Sequence, residues 1–441
     1  MYLTQLIHQA RQQEPDRLLT VFGSRVRTVS ESSDRVARLA GALRRAGVNR
    51  DDRVGILAMN SDKYHEYLLA APWADGVVNP INTRWTECEV AQALCDSDTR
   101  VLFVDEHFAD MLPALREHCP RLGTVIFCGA GRPPPSTLDY ESLIGRSEPI
   151  EDARRGGDQL FGVFYTGGTT GRAKGVMLSH RGLLTAALGA QATGGFISAG
   201  GVVLHAAPMF HLADLATWVG GMMARSVHVI LPKFTVSSVF GAVVEHRVTD
   251  VLLVPTMIQL LADSPVSQRP DLSRLRRLIY GSSPIPRATL ARARAMFPQA
   301  GFTHAYGMTE TSPVLTLLLP DDHEEQGLLG SVGRPAPHCE NSGRGRRGPR
   351  GVARQYRRDR RSRGSHDARL LAPRRANPRR PAGWMDAFRR RRIHERRWLC
   401  VHRRPHQIHD PLRGRECALR RGGECSRRAS RRTPRGRCRH T

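Results

Sequence analysis

The chain has 441 residues and a formal charge of +26, but residues 341–441 hold 34 arginines, no lysine and only 7 acidic residues, which accounts for the whole excess. The first 340 residues are therefore close to neutral, and none of their apolar runs approaches the ~20 residues of a membrane span. The N-terminus, MYLTQLIHQARQQEPDRLL, lacks the long apolar core of a secretory signal, and nine scattered cysteines with no C-x-x-C pair argue for a reducing cytoplasm over a disulfide framework.

In chain order, the first periodic segment is SSDRVARLAGALRRAGV (32–48), with apolar residues at three- and four-residue steps and Gly47 where a C′ glycine would stand. It predicts a helix. Apolar runs of strand length follow: RVGILAMN (53–60), RVLFVD (100–105), TVIFCG (124–129) and LFGVFYTGG (160–168). The series continues with GVVLHAAP (201–208), SVHVILP (226–232), TDVLLVP (249–255) and RRLIYGSS (276–283). Uninterrupted Val/Ile/Leu runs closed by Gly, Pro, Asn or Asp suit strands buried on both faces. Alternation with helical stretches predicts an α/β fold with mainly parallel sheets flanked by helices. Domain boundaries are expected at 1–340 for the folded part and 341–441 for an Arg-rich tail. That tail has no periodic apolar face and too little hydrophobicity for its charge to fold alone.

The most informative stretch follows the fourth strand run. In YTGGTTGRAKGVMLSH (165–180), consecutive glycines let backbone N–H groups turn inward and approach a ligand closely. The hydroxyls of Thr166, Thr169 and Thr170 add donors, and Lys174 adds a mobile positive charge. Together with Gly167, Gly168 and Gly171 they suit phosphate oxygens. The spacing is not that of a Walker loop, because no Gly-Lys-Ser/Thr follows.

This string resembles the signature loop of the adenylate-forming acyl-CoA synthetases and their relatives, roughly [ST]-[SG]-G-[ST]-[ST]-G-x-P-K-G. It departs mildly at Gly167 and Ala173. The resemblance continues at HAAPMFHLADL (205–215), RLIYGSSPIP (277–286) and HAYGMTETSP (304–313), and VVNPINTRWTECEVAQAL (77–94) resembles the N-terminal subdomain. It implies that ATP is held by the loop together with Gly281, Ser282, Ser283, His304, Ala305 and Gly307. It further implies that Tyr306 stacks on adenine, Thr309 touches the AMP phosphate and Glu310 helps hold Mg²⁺. His211 would lie beside the substrate carboxylate. The acyl pocket would include Trp218, Gly220, Gly221 and Met222, small or flexible enough for a sizeable acyl group. The implied activity is ATP-dependent activation of a carboxylic acid, most simply a fatty acid, to an acyl-adenylate and then to the thioester of coenzyme A. Preorganised N–H donors, a lysine and Mg²⁺ suit the charge that builds on the α-phosphate.

The resemblance stops after GSVGRPAPHCE (330–340). The family's small C-terminal domain carries an adenylation lysine, and an aspartate before it grips the ribose; neither motif appears in frame. Re-read one base later, Phe388-Arg389-Arg390 can come from bases encoding Ser-Gly-Asp. His402-Arg403-Arg404-Pro405-His406-Gln407 can give Ile-Val-Asp-Arg-Ile-Lys, and Arg413-Gly414-Arg415-Glu416-Cys417 can give Gly-Gly-Glu-Asn-Val. These are the missing motifs in their order, so the tail is expected to be the C-terminal coding region read out of frame after Glu340, with activity impaired. GRGRRG (343–348) has no strand before it, and Cys400, His402, His406 and His409 match no standard zinc spacing. Two alternatives stay open: an enzyme that stops at acyl-AMP, and a nucleic-acid-binding arm using the tail arginines, although no specific nucleic acid is expected.

Overall fold

A computed structural model describes residues 1–167 and 173–339. The chain enters through helix α1 (Gln5–Gln13) and a tight hairpin of β1 (Leu18–Phe22) and β2 (Arg25–Thr28). Helix α2 (Val29–Arg45) then starts at a capping box. Glu31 N–H donates to Thr28 Oγ1 at 3.2 Å and Thr28 N–H donates to the Glu31 carboxylate at 2.8 Å, satisfying two donors the helix cannot. That cap explains why the helix begins three residues before the periodic segment. Its end agrees with the sequence: Gly47 takes φ 86° just past the last turn.

The first sheet grows by alternation. Strand β3 (Arg53–Leu57) leads to α3 (Asp62–Trp73), β4 (Val77–Pro80), α4 (Glu87–Asp96) and β5 (Val101–Val104). Next come α5 (Leu112–His118), β6 (Thr124–Phe127), β7 (Leu138–Asp139) and α6 (Tyr140–Gly145). The hairpin β8 (Leu160–Thr166) and β9 (Lys174–Ser179) closes the sheet. Its order is β7-β6-β5-β3-β4-β8-β9, parallel throughout except for that antiparallel last pair.

Helix α7 (His180–Ala192) crosses to the second sheet, which takes β10 (Val202–His205), α8 (Leu212–Met223), β11 (Val227–Ile230) and α9 (Val236–Glu245). Then follow β12 (Asp250–Leu253), α10 (Pro255–Ala262), β13 (Arg277–Gly281), α11 (Arg287–Met296) and β14 (Gly301–Tyr306). Short strands β15 (Thr316–Leu318) and β16 (Arg334–Pro335) finish one edge. The order is β16-β15-β14-β13-β12-β10-β11-β1-β2, parallel from β14 to β1 and antiparallel at both ends.

The fold is α/β, with mainly parallel sheets flanked by helices, and all eight apolar runs of the sequence are strands. Every residue of β4, β5 and β12 is buried, as strands covered on both faces require. One apolar cluster runs from Phe161 and Phe164 on β8 through Tyr67 on α3 to Trp218 on α8 and Ile230 on β11, so both sheets share a core. Among the described residues no helix is long and apolar enough to cross a membrane. The expected tail, residues 341–441, lies outside the described residues.

Candidate functional site

Strands β8 and β9 pair down to Thr166 opposite Lys174, so the Gly/Thr loop is the tip of a hairpin and these two residues form its mouth. Of the loop, Gly168, Thr169, Thr170 and Gly171 lie outside the described residues. Gly167 faces open space: a Cβ there would touch nothing within 4 Å. Lys174 is exposed and has no ion-pair partner among the described residues. The base of the hairpin is fixed from below. Tyr165 Oη donates between Asp96 Oδ2 at 2.8 Å and Ala93 O at 3.0 Å, both at the end of α4. Trp85 meets the Tyr165 ring edge-on at 6.0 Å.

The second wall comes from the C-terminal ends of β13 and β14, where open parallel sheets gather their ligand-binding loops. Gly281 pairs with Ala305, and a Cβ on Gly281 would lie 2.3 Å from Ala305 O, so only glycine lets the strands approach. Ser282 follows in the left-handed region at φ 67°, and both Ser282 and Ser283 are exposed. His304 stacks flat on Tyr280, 4.8 Å between centroids and 2° between planes. Tyr280 Oη donates to His323 Nε2 at 2.9 Å, because His323 Nδ1–H is already given to Leu319 O at 2.7 Å. Burial lowers the pKa of His304 and raises that of Tyr280, so both rings are neutral parts of the wall. The half-buried Tyr306 ring has no aromatic partner among the described residues.

After Tyr306 the chain doubles back: a Cβ on Gly307 would fall 1.6 Å from Pro313 O. The turn Thr309–Thr311 is closed by Thr311 Oγ1, which accepts from Met308 N–H at 3.0 Å, and Ser312 takes φ 58°. This turn packs against β9. It thereby brings Thr309 and Glu310 to the strand that carries Lys174, more than a hundred residues earlier. The Glu310 carboxylate is exposed and has no cation partner among the described residues.

His211 is the N-cap residue of α8, with extended backbone and no side-chain cap bond. The loop leading to it is clamped from the first sheet, where Asn60 Nδ2 donates to Ala207 O and Asn60 Oδ1 accepts from Met209 N–H, each at 2.8 Å. Its ring leans on Phe210, with centroids 4.3 Å apart. The residue is exposed, yet neighbouring protein crowds its ring. That desolvation, and then the charge of Arg84, pull its pKa down to about 4. The imidazole is neutral at physiological pH.

The four residues expected around the acyl group stand farther along the same helix. At ~1.5 Å of rise per residue, Trp218 to Met222 lie roughly 10–16 Å along α8 from His211. Trp218 is fully buried and donates to His65 Nδ1 at 2.8 Å. Gly220 abuts Phe196, Gly221 abuts His228, and Met222 faces a groove shared with Leu6 and Ala10 of α1. They stand in packed interior, with only Met222 reaching a groove.

Sequence reasoning passed over Asn60, Arg84, Trp85 and the Tyr280–His323 pair. Only VVNPINTRWTECEV gave a hint, and it gave no roles. A hard carboxylate oxygen at Glu310 suits Mg²⁺, while the Lys174 ammonium and the hydroxyls of Thr166 and Thr309 suit phosphate oxygens. Thr166 pairs with Lys174, and the turn of Thr309 and Glu310 packs against the same strand, so these donor types suit a metal–nucleotide pair.

Comparison with known proteins bears on the same region. The family described as AMP-binding enzyme matches residues 6–342. Indoleacetate–CoA ligase of Aromatoleum aromaticum is 31% identical over 343 residues, covering 77% of this chain and 66% of that protein. A feruloyl-CoA synthase of an Amycolatopsis species is 36% identical over 315 residues, covering 71% and 60%. The long-chain-fatty-acid–CoA ligase of Thermus thermophilus is 32% identical over 324 residues, covering 70% and 58%. The chain thus spans about three fifths to two thirds of the length of these relatives. Among solved structures, the N-terminal domain of FACL13 from Mycobacterium tuberculosis superposes with a TM-score of 0.69 at 27% identity, covering 76% of this chain and 83% of that one.

Proposed function

The chain belongs to the AMP-binding enzyme family, and from that premise we propose that it activates a carboxylic acid with ATP, releasing pyrophosphate, and passes the acyl group from the acyl-adenylate to the thiol of coenzyme A. The observation that carries this proposal is the packing of the turn bearing Thr309 and Glu310 against β9, the strand that begins at Lys174. In it Lys174 and the loop amides take the phosphates, Tyr306 offers its free face to adenine, and Thr309 donates to the α-phosphate. Glu310 would hold Mg²⁺, which when bound offsets phosphate charge. The neutral His211 imidazole receives the carboxylate end of the acid without an ion pair that the transition state would have to break. Neutrality also means that it neither competes with Lys174 for phosphate nor repels Mg²⁺.

Fatty acid is the substrate class proposed. The names of the relatives cover fatty, indoleacetic and ferulic acids, so the test must offer all three kinds. We propose further that residues 341–441 are the C-terminal coding region read out of frame and that turnover is reduced accordingly. Supporting this, the family match ends at residue 342, two residues past the last recognisable motif.

ATP–pyrophosphate exchange with a panel of fatty and aromatic acids, on this chain and on one with the frame restored after Glu340, tests both statements. Weaker exchange in this chain than in the restored one is expected. Equal exchange in both would overturn the claim for the tail, and none in either with any acid would overturn the activity. Exchange without thioester formation would favour an enzyme that stops at acyl-AMP.

A further inference from the structure

Helices α4 and α5 pack together, and each places a cysteine at the contact. Cys95 stands in the last turn of α4 and Cys119 caps the end of α5. Their sulfurs are 3.1 Å apart. Cys95 is exposed and Cys119 is buried. Each thiol has a carbonyl within 3.4 Å, His118 O for Cys95 and Ala91 O for Cys119. A disulfide holds its sulfurs about 2.05 Å apart, so a contraction of about 1 Å separates this dithiol from a bridge. Nothing in the proposed nucleotide chemistry uses either thiol.

We propose that Cys95 and Cys119 form a peroxide-oxidised dithiol that closes to a reversible disulfide and acts through it on the hairpin that follows Tyr165. The Cys95 thiolate attacks one oxygen of hydrogen peroxide, the O–O bond breaks, and Cys95 sulfenic acid and hydroxide form. Cys119 sulfur then attacks the sulfenic sulfur, the S–O bond breaks, and water leaves with the thiol proton. In sum two thiols lose two electrons and two protons while one peroxide becomes two waters. A small thiol reverses the bridge through a mixed disulfide. Exposure sets the order, because the sulfur that meets solvent meets the oxidant first. Burial, and then the neighbouring Cys95, push the Cys119 thiol up, which keeps it unreactive until a sulfenic partner stands beside it.

The consequence follows from what α4 holds. Asp96, next to Cys95, and Ala93, two residues before it, are the acceptors of the Tyr165 hydroxyl. Across the hairpin Tyr165 pairs with Gly175, and its ring lies so close that a Cβ on Gly175 would be 3.2 Å from Tyr165 Cζ. Drawing the last turn of α4 toward α5 therefore moves the anchor of β8 one residue before Thr166.

The test uses the full chain, reduced, treated with a small excess of hydrogen peroxide, alkylated and mapped without reductant. A linked pair of peptides containing Cys95 and Cys119, released by dithiothreitol, is expected. Cys119→Ser should leave Cys95 trappable by dimedone, and the exposed Cys95→Ser should abolish the link without disturbing the fold. Overoxidised Cys95 with no link, or Cys95 joined to Cys88 or to a cysteine of residues 341–441, would overturn the dithiol. Hydrogen exchange in peptides covering residues 160–180 should be several-fold faster in the oxidised chain. Identical exchange in the two forms would overturn the coupling to the hairpin. Neither readout uses ATP or an acid, so failure here is separate from failure of the proposed activity.

Discussion

The indole N–H of Trp218 can only donate, so the His65 Nδ1 that receives it is a lone pair and the His65 proton sits on Nε2. At the other end Asp214 Oδ2 lies 3.0 Å from His205 Nδ1, and His205 Nε2 lies 2.9 Å from His228 Nδ1. His65 Nε2 and His228 Nε2 are left without a hydrogen-bond partner among the described residues, on two buried rings 5.5 Å apart. Burial keeps both rings neutral, with His65 lowered to about 3. Trp218→Phe strips the donor from His65 Nδ1 and should cost about 1–3 kcal/mol, read as a lower thermal midpoint. Lys174→Ala should do the reverse. The side chain is exposed and has no ion-pair partner among the described residues, so stability should hold within about 0.5 kcal/mol. MgATP binding should weaken about tenfold, or ~1.4 kcal/mol; a thermal shift without loss of binding would sink the role given to it. Lys174 and His211 each sit in a contiguous motif, which is why sequence alone could propose them. The histidine chain was not legible, since residues 65, 205, 214, 218 and 228 come from α3, β10, α8 and β11 and share no local pattern.

Two glycines of the site do different work at the scale of elements. Gly307 lets the chain reverse so tightly that a Cβ would strike the Pro313 carbonyl, backbone that cannot swing aside. Gly307→Ala should therefore cost about 1–3 kcal/mol and displace the Thr309–Thr311 turn from β9. Gly167 stands in open space, and Gly167→Ala should leave the unfolding midpoint unchanged. Equal midpoints for the two variants would contradict the tight reversal at Gly307. The hairpin β8–β9 shows what an element adds to a motif. The string TGGTTGRAKG led to an expectation of phosphate binding, and the antiparallel pairing of Thr166 with Lys174 places both ends of that loop side by side. Helix α8 shows the opposite. The resemblance implied Trp218, Gly220, Gly221 and Met222 for the acyl group, and the helix packs three of them against α3, β11 and Phe196.

For the whole molecule, buried neutral histidines tie stability to pH. His65 and His180 are fully buried, and burial is the first cause that lowers each to about 3. Unfolded, each binds a proton below about pH 6.5, while the folded chain does not, so stability rises with pH across that window. It is complete above pH 6.5 and is lost as pH falls toward 3. Each should contribute about 1 kcal/mol between pH 7.5 and 5.5, and together they should lower the unfolding midpoint by several degrees. A midpoint that does not move between those two buffers would remove this account. By itself the sequence determined the eight apolar strands and the parallel α/β class, because strand burial is written in contiguous residues. Only the tertiary structure decided that the turn at Glu310 packs on the strand of Lys174, that Asn60 clamps the loop to His211, and that Cys95 meets Cys119. Those pairings depend on how two sheets and their helices pack, and no stretch of sequence contains both partners.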